Sequence, residues 1–489
     1  MLKLISVNSK NDRMETLVIP VCEDRQIHEN KTVTTLIAEA EKLREFTGGK
    51  GDEIIFYASP KIKANRILLL GIGKFKNFTT GSLRELSGTA VKKCIKLKLE
   101  SCHIVVPSAR KTGLQADRVL EAMLEGACLG NHIFDRYKYT KKQTPLELMT
   151  LVVPPSTAKK FSHLPLQVSA ACAGTILARE WVSTPSNDKT PVKFAKSIIE
   201  EARATDLKIS VLDEKKLTQK KFGALLAVAA GSKNRPRLLI MEHKPKGVKE
   251  TIALIGKGVT FDSGGINLKS TGSLEGMKMD MAGAAAVAAT LITASKLNLN
   301  FHIIGVLPLV ENMPSGSAAR PGDIVRTYAG KTVEIGNTDA EGRLILADAM
   351  AYAIDTFKPQ TVVDMATLTG ACVVALGEKI AGVFSSDDAL ARAIVKSGKK
   401  TGERCWHLPL PEDYRELLKS DLADLSNMSS SRWGGAITAA LFLSEFAKDT
   451  TWAHIDIAGP TLIKKPDAFC PAGGTGFGVR LLLDWLKNR

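Results

Sequence analysis

Residues 251–269 read TIALIGKGVTFDSGGINLK. The first six form a short apolar run of the kind that makes a strand buried on both faces, and they lead directly into Lys257 and then Asp262. Gly264 and Gly265 supply a turn straight afterwards. Charge is therefore placed at the end of a buried strand, where it is expensive unless paired. Outward from this stretch, strand-like runs (IALIG, FHIIGVLPLV, TVVDMAT, AHIDIA) alternate with long helical patterns at 283–297, 342–357, 436–448 and 477–488. Such alternation predicts an α/β fold with a central, mostly parallel sheet flanked by helices on both faces. In sheets of this kind ligands bind where strands end and loops begin.

The chain has 489 residues, more than the roughly 250–300 that one core usually serves, so two domains are expected. Residues 1–160 alternate apolar runs (TLVIPVC, RILLLGIG, SCHIVVP, ELMTLVVP) with helical stretches at 33–46 and 114–130, which reads as a small N-terminal α/β domain. A helix over 166–183 follows and ends in WVSTPSNDKTP, where Pro185 and Pro191 stop it. The expected division is 1–160, a linker helix and turn at 161–191, and a larger C-terminal catalytic domain at 192–489.

The first twenty residues scatter Lys, Asn, Asp, Arg and Glu among the apolar ones, so no signal-peptide core is expected there. Gly, Thr or Lys breaks every apolar run before the ~20 residues a membrane span needs. Eight cysteines are spread along the chain with no CxxC pair, the pattern of thiols in a reducing compartment. A soluble, cytoplasmic protein without membrane attachment is the expectation. The formal charge is +16, and residues 1–160 hold 27 basic against 17 acidic residues. That surplus is compatible with nucleic acid, but no zinc finger, RNP aromatics or Arg-rich tract accompanies it, and a solvated Lys-rich surface explains it equally.

Two further segments join the first. MKMDMAGAAAV puts Asp280 at the mouth of a small-residue helix, and NTDAEGRL at 337–344 places Asp339, Glu341 and Arg343 just before another helix. Taken singly, each carboxylate reads as a helix cap or as the partner of Lys257, Lys269 or Arg343. As a set, Asp262, Asp280, Asp339 and Glu341 repel one another unless further cations hold them together. Oxygen-rich ligand sets suit Mg, Mn, Zn or Co, and carboxylates can bridge two such ions about 3.5–4 Å apart. None of the eight histidines stands at metal-ligand spacing, which argues against HExxH-type zinc chemistry, and His454 reads as a structural histidine on a strand. A phosphoryl-transfer enzyme would want a phosphate-cradling GxxxxGK[ST] loop, and none is present.

These three motifs, with WVSTPSNDKTP, GERCWHLPLPEDY, GGAITAALFL, WAHIDIAGP and GTGFGVRLL, resemble the leucyl (cytosol) aminopeptidase family over essentially all of 170–489. In residues 1–160 the likeness is one of layout alone. The resemblance implies a metalloaminopeptidase that removes N-terminal Leu and similar apolar residues from peptides with two divalent ions. Asp262 and Glu341 would bridge both ions, Lys257 and Asp280 would complete the tightly held site, and Asp339 the more exchangeable one. Lys257 would ligate as the neutral amine. Lys269 would stabilise the oxyanion, and Arg343 would hold a bicarbonate ion acting as general base.

The side-chain pocket would be lined by Met277, Thr367, Gly370 and Ala458. Asn267, Ser270 and Thr461 depart mildly from the commonest family pattern, which bears on pocket preference. Family members are hexamers with active sites facing an internal cavity, and some bacterial ones also bind DNA, so both a homohexamer and an added nucleic-acid contact are carried forward.

Overall fold

The structure, a computed structural model, describes residues 1–6, 14–59, 62–248, 250–447 and 450–489. The chain divides into two compact units, one of Met1–Cys172 with Lys465–Ala472, the other of Ala173–Lys464 with Gly473–Arg489.

The first unit is built on β1 (Leu2–Ser6), β2 (Met14–Val21), β3 (Glu53–Ser59), β4 (Ile62–Gly71), β5 (Ser101–Val105) and β6 (Leu148–Val153). They run in the order β1-β6-β5-β2-β4-β3, and only β3 pairs antiparallel with its neighbour. Alternation along β2 sends Leu17, Ile19 and Val21 to one face, where Val33, Leu36 and Ile37 of helix Lys31–Ala40 cover them. The periodic pattern had suggested a helix as far as 46. The chain instead leaves the helix at Ala40 and reaches the buried Phe46 through successive tight turns, closed by Leu43 N to Ala40 O and Phe46 N to Leu43 O.

The second unit holds β7 (Lys208–Leu212), β8 (Arg237–His243), β9 (Thr251–Gly256), β10 (Gly258–Asp262), β11 (His302–Asn312), β12 (Ile324–Arg326), β13 (Thr332–Glu334), β14 (Thr361–Ala366), β15 (Ala381–Ser385), β16 (Cys405–His407), β17 (Leu425–Ser426) and β18 (Thr451–Asp456). The main sheet runs β16-β15-β18-β14-β9-β11-β8-β7, with β10 also on β11, and β12, β13 and β17 form a small separate sheet. Its centre, β18-β14-β9-β11, is wholly parallel, while β15, β8 and β7 join antiparallel toward the edges.

Two helices cover the parallel centre. Ile304 and Val306 of β11 pack in one core with Leu344–Ala347 of helix Glu341–Phe357. Between them in sequence, Gly305 faces Val287 and Leu291 of helix Ala282–Lys296, so the two helices lie on opposite faces. Both are apolar around most of their circumference, as helices inside an α/β protein are. The most apolar window of Thr271–Lys296 could cross a membrane by composition alone, but 83% of it is buried inside the protein. The helix expected at 436–448 spans Gly435–Ser444, and residue 448 lies outside the described residues. The consequence for chemistry is geometric: β9 and β10 end between the starts of these two helices.

Candidate metal centre

Lys257 follows the last residue of β9, Asp262 is the last residue of β10, Asp280 precedes helix Ala282–Lys296, and Glu341 is the first residue of helix Glu341–Phe357. A carboxylate in a first helical turn is favoured by the exposed N–H groups and the helix dipole. One ligand oxygen each from Asp262, Asp280 and Glu341 lie within 4.8 Å of one another, and all three residues are buried. Gly342 leaves the room this needs: a Cβ there would stand 2.7 Å from Lys257 Cε and 2.8 Å from its Nζ. Gly264 and Gly265 both take positive φ (88° and 68°), and that turn brings Lys269 back over Asp262.

The cations interleave with the anions. Lys257 Nζ lies 2.8 Å from Asp280 Oδ1 and 2.8 Å from Glu341 Oε1, and donates to the Thr367 carbonyl at 2.8 Å. Lys269 Nζ is 2.9 Å from Asp262 Oδ2 and also pairs with Asp339. Asp262 Oδ1 accepts from Gly264 N and Asn312 Nδ2, each at 2.9 Å, and Thr367 Oγ1 donates to Asp280 Oδ1 at 2.7 Å. Arg343 is buried, with Nη1 donating to the Asn427 carbonyl at 2.8 Å.

These cations do not satisfy the cluster. Buried Asp280 Oδ2 has no hydrogen-bond partner, and Asp339 Oδ1 and Glu341 Oε1 meet only the ammonium groups of Lys269 and Lys257. Burial, reinforced by neighbouring carboxylates, raises the pKa of Asp280, Asp339 and Glu341. Burial lowers that of Lys257, but Asp280, Glu341 and Asp262 outweigh it and hold the ammonium above the ordinary lysine value. Burial likewise brings Arg343 down to about 10 despite Glu341 and Asp456. An orphaned buried oxygen and raised acids are what carboxylates gathered for a divalent cation show without one, so this donor set fits hard or borderline metal ions. With a dication among the same carboxylates the field at Lys257 reverses, which is the condition for a neutral-amine ligand.

Of the four pocket positions, Thr367 touches the cluster directly through its hydroxyl and carbonyl. Met277 begins the short turn Met277–Met279 ahead of Asp280, Gly370 begins helix Gly370–Leu376 and is exposed, and Ala458 is half-buried beyond β18. Sequence reasoning missed the residues that hold these loops. Asp456, buried at the end of β18, accepts from Leu368 N (3.2 Å), Thr369 N (3.1 Å), Thr369 Oγ1 (2.7 Å) and Ala458 N (3.1 Å), tying the loop after β14 to the one after β18. Asn427 brackets the 336–340 loop, its Oδ1 accepting from Gly336 N and Asn337 N and its Nδ2 donating to the Asn337 and Ala340 carbonyls. Asn312, following an apolar strand as Asp262 does, carried a signal that could have been read. His454 pairs with Asp364 at 2.6 Å deep in the core and belongs to no metal-ligand group among the described residues.

Comparison with known proteins agrees with this geometry. The catalytic domain of the cytosol aminopeptidase family matches residues 176–483, and that family's N-terminal domain matches 18–141. A probable cytosol aminopeptidase of Chlorobaculum tepidum is 42% identical over 464 residues, covering 91% of this chain and 90% of that one. One from Geobacter sulfurreducens is 41% identical over 455 residues, covering 92% and 90%. Among solved structures, the bottromycin maturation enzyme BotP in complex with Mn matches with a TM-score of 0.86 and 34% identity, over 97% of this chain and 99% of that one. The chain belongs to the cytosol aminopeptidase family and is a metal-dependent exopeptidase.

Proposed function

We propose that this aminopeptidase releases Leu and similar apolar residues from peptide N-termini at a centre of two divalent ions. The observation that carries the reading is the convergence of buried Asp262, Asp280 and Glu341, with Asp280 Oδ2 left without a partner. Asp262, Glu341, Lys257 and Asp280 would hold the ions, with Asp262 and Glu341 as the shared ligands, and Asp339, with a third of its side chain exposed, would serve the more open site. Mn is the ion proposed first, since BotP is described with it; Zn, and less so Mg or Co, suit the same ligands. Such ions would supply Lewis acidity toward the substrate α-amine and scissile carbonyl and toward the attacking water.

The remaining work falls to the chain. Lys269, more open than Lys257 (16% against 3% of the side chain exposed), donates to the oxyanion as it develops. Arg343 spends one N–H on Asn427 and through its others would hold a bicarbonate ion, which would supply the general base; a guanidinium is itself no base. Met277, Thr367, Gly370 and Ala458 line a pocket for an apolar side chain. A cytoplasmic homohexamer acting on peptides completes the proposal. An added nucleic-acid contact rests on the charge of +16 alone, and retention on DNA that falls steeply with salt would support it.

Elemental analysis and a panel of amino-acid anilides test the core of this reading. Two metals per chain, loss of hydrolysis on chelation, recovery with Mn, and preference for Leu and Met over Asp or Lys are expected. One metal at saturation would remove the bridging roles of Asp262 and Glu341, and full activity in stripped protein would remove the mechanism.

A further inference from the structure

Lys189 lies in the PSNDKTP turn, far in sequence from the carboxylates, and only 2% of it is exposed. No carboxylate stands within ion-pair distance of it among the described residues. Its Nζ instead donates to three main-chain carbonyls: Trp181 at 2.6 Å, Val182 at 3.2 Å and Lys278 at 2.8 Å. Burial, with Lys278 nearby, pushes its pKa well below the ordinary lysine value. Three acceptors nonetheless call for three N–H donors, which only the ammonium has. Two of those acceptors belong to the last turn of helix Leu164–Ser183, where carbonyls lack helical partners and the dipole favours a cation.

The third acceptor changes the meaning of the arrangement. Lys278 sits in the Met277–Met279 turn, and Asp280 caps that turn with its N–H directed to the Met277 carbonyl. A lysine needed only to finish a helix would not also reach the segment that delivers a carboxylate to the cluster.

We propose that Lys189 is a positioning residue that fixes the Met277–Asp280 turn against the end of helix Leu164–Ser183, so that Asp280 meets Lys257 and Glu341 ready for metal. The proposal rests on the reading of Asp280 as a metal ligand. Through Met277 the same contact sets one wall of the substrate pocket.

Lys189→Met keeps the unbranched apolar stem, one atom shorter, and removes every N–H. Titration of the stripped full-length protein with Mn by calorimetry is expected to show affinity about 10- to 100-fold below the parent, the usual cost of losing a group that orients a metal ligand. Excess Mn should restore most of kcat while KM for Leu anilide stays raised. Parent-like Mn affinity with only a lower Tm would make Lys189 a helix cap and overturn the proposal. Asp280→Ala runs alongside: if it binds Mn like the parent, the metal-centre reading itself has failed, whatever Lys189→Met does. Should Lys189→Met not fold, Lys189→Gln keeps two donors and is expected to fall between the two; parent-like affinity there overturns the proposal equally.

Discussion

Replacing Thr367 by valine deletes one hydroxyl with little change of volume, and it separates two roles for the same residue. The family resemblance implies a place for Thr367 in the substrate pocket; the structure puts its hydroxyl 2.7 Å from Asp280 Oδ1 in a buried setting. The main-chain carbonyl that accepts Lys257 is unaffected by the change. A hydrogen bond to a charged group is worth about 1.5–3 kcal/mol. If the whole loss appears in metal binding, Mn affinity falls roughly 10- to 150-fold. Calorimetric titration of stripped protein reads that number directly, and kcat/KM for Leu anilide at saturating Mn should then lie within several-fold of the parent. Unchanged Mn affinity together with an altered Leu-to-Met selectivity would refute this reasoning and leave Thr367 as a pocket residue only.

Lys269→Ala and Arg343→Ala are expected to retain metal, measured by elemental analysis, while kcat drops on the order of 10²- to 10³-fold for Lys269→Ala; Glu341→Ala should lose metal as well as rate. If bicarbonate is the base, Arg343→Ala also loses any stimulation by added bicarbonate. Asp456→Asn leaves donors from Thr369 or from Leu368 and Ala458 facing an amide N–H₂, at about 1–3 kcal/mol for each orphaned donor, so both Tm and kcat/KM should fall with Mn affinity spared; an unchanged KM would free Asp456 of its pocket role. Burial raises Asp348 from 3.8 to about 7, against the N–H groups of Leu225 and Tyr328 that it accepts. A raised folded-state pKa means that its stabilisation, up to about 4 kcal/mol, is full below the unfolded value and lost as pH climbs through the folded one. The Tm deficit of Asp348→Asn should therefore shrink between about pH 4 and pH 7, and a constant deficit would contradict the shift.

The catalytic half was the more legible part. Helix expectations at 283–297, 342–357 and 477–488 lie within two residues of Ala282–Lys296, Glu341–Phe357 and Val479–Lys487, because long apolar patterns closed by glycine and charge leave little freedom. β1 and β3 went unread: Lys3 interrupts the first, whereas the apolar run at 54–58 in β3 was there to be read. Lys257 and Asp262 announced themselves at strand ends, and Asp280, Asp339 and Glu341 at helix starts. Asn312, closing a strand, could have been read in the same way, but Asn427 could not, because a neutral amide in a loop looks like ordinary turn chemistry, and Asp456 looks like one more strand terminus. Their importance lies in which distant N–H groups they meet, and that is set by the tertiary fold rather than by spacing. Lys189 was hidden for the same reason: a lysine in a proline-bounded turn reads as solvated, and only the fold buries it.

The two lysines threaded among the carboxylates separate assembly of this protein from its activation. In small zinc modules the ligands cannot come together until the ion arrives, so the apoprotein is unfolded. Here Lys257 and Lys269 already lend positive charge to the anionic cluster, and both belong to a unit with an extensive buried core. A chain balanced in this way is expected to fold ahead of its ions, so that stripped protein keeps a cooperative thermal transition while losing activity. Its working fraction would then follow the supply of divalent ions, and resupply would need no new synthesis.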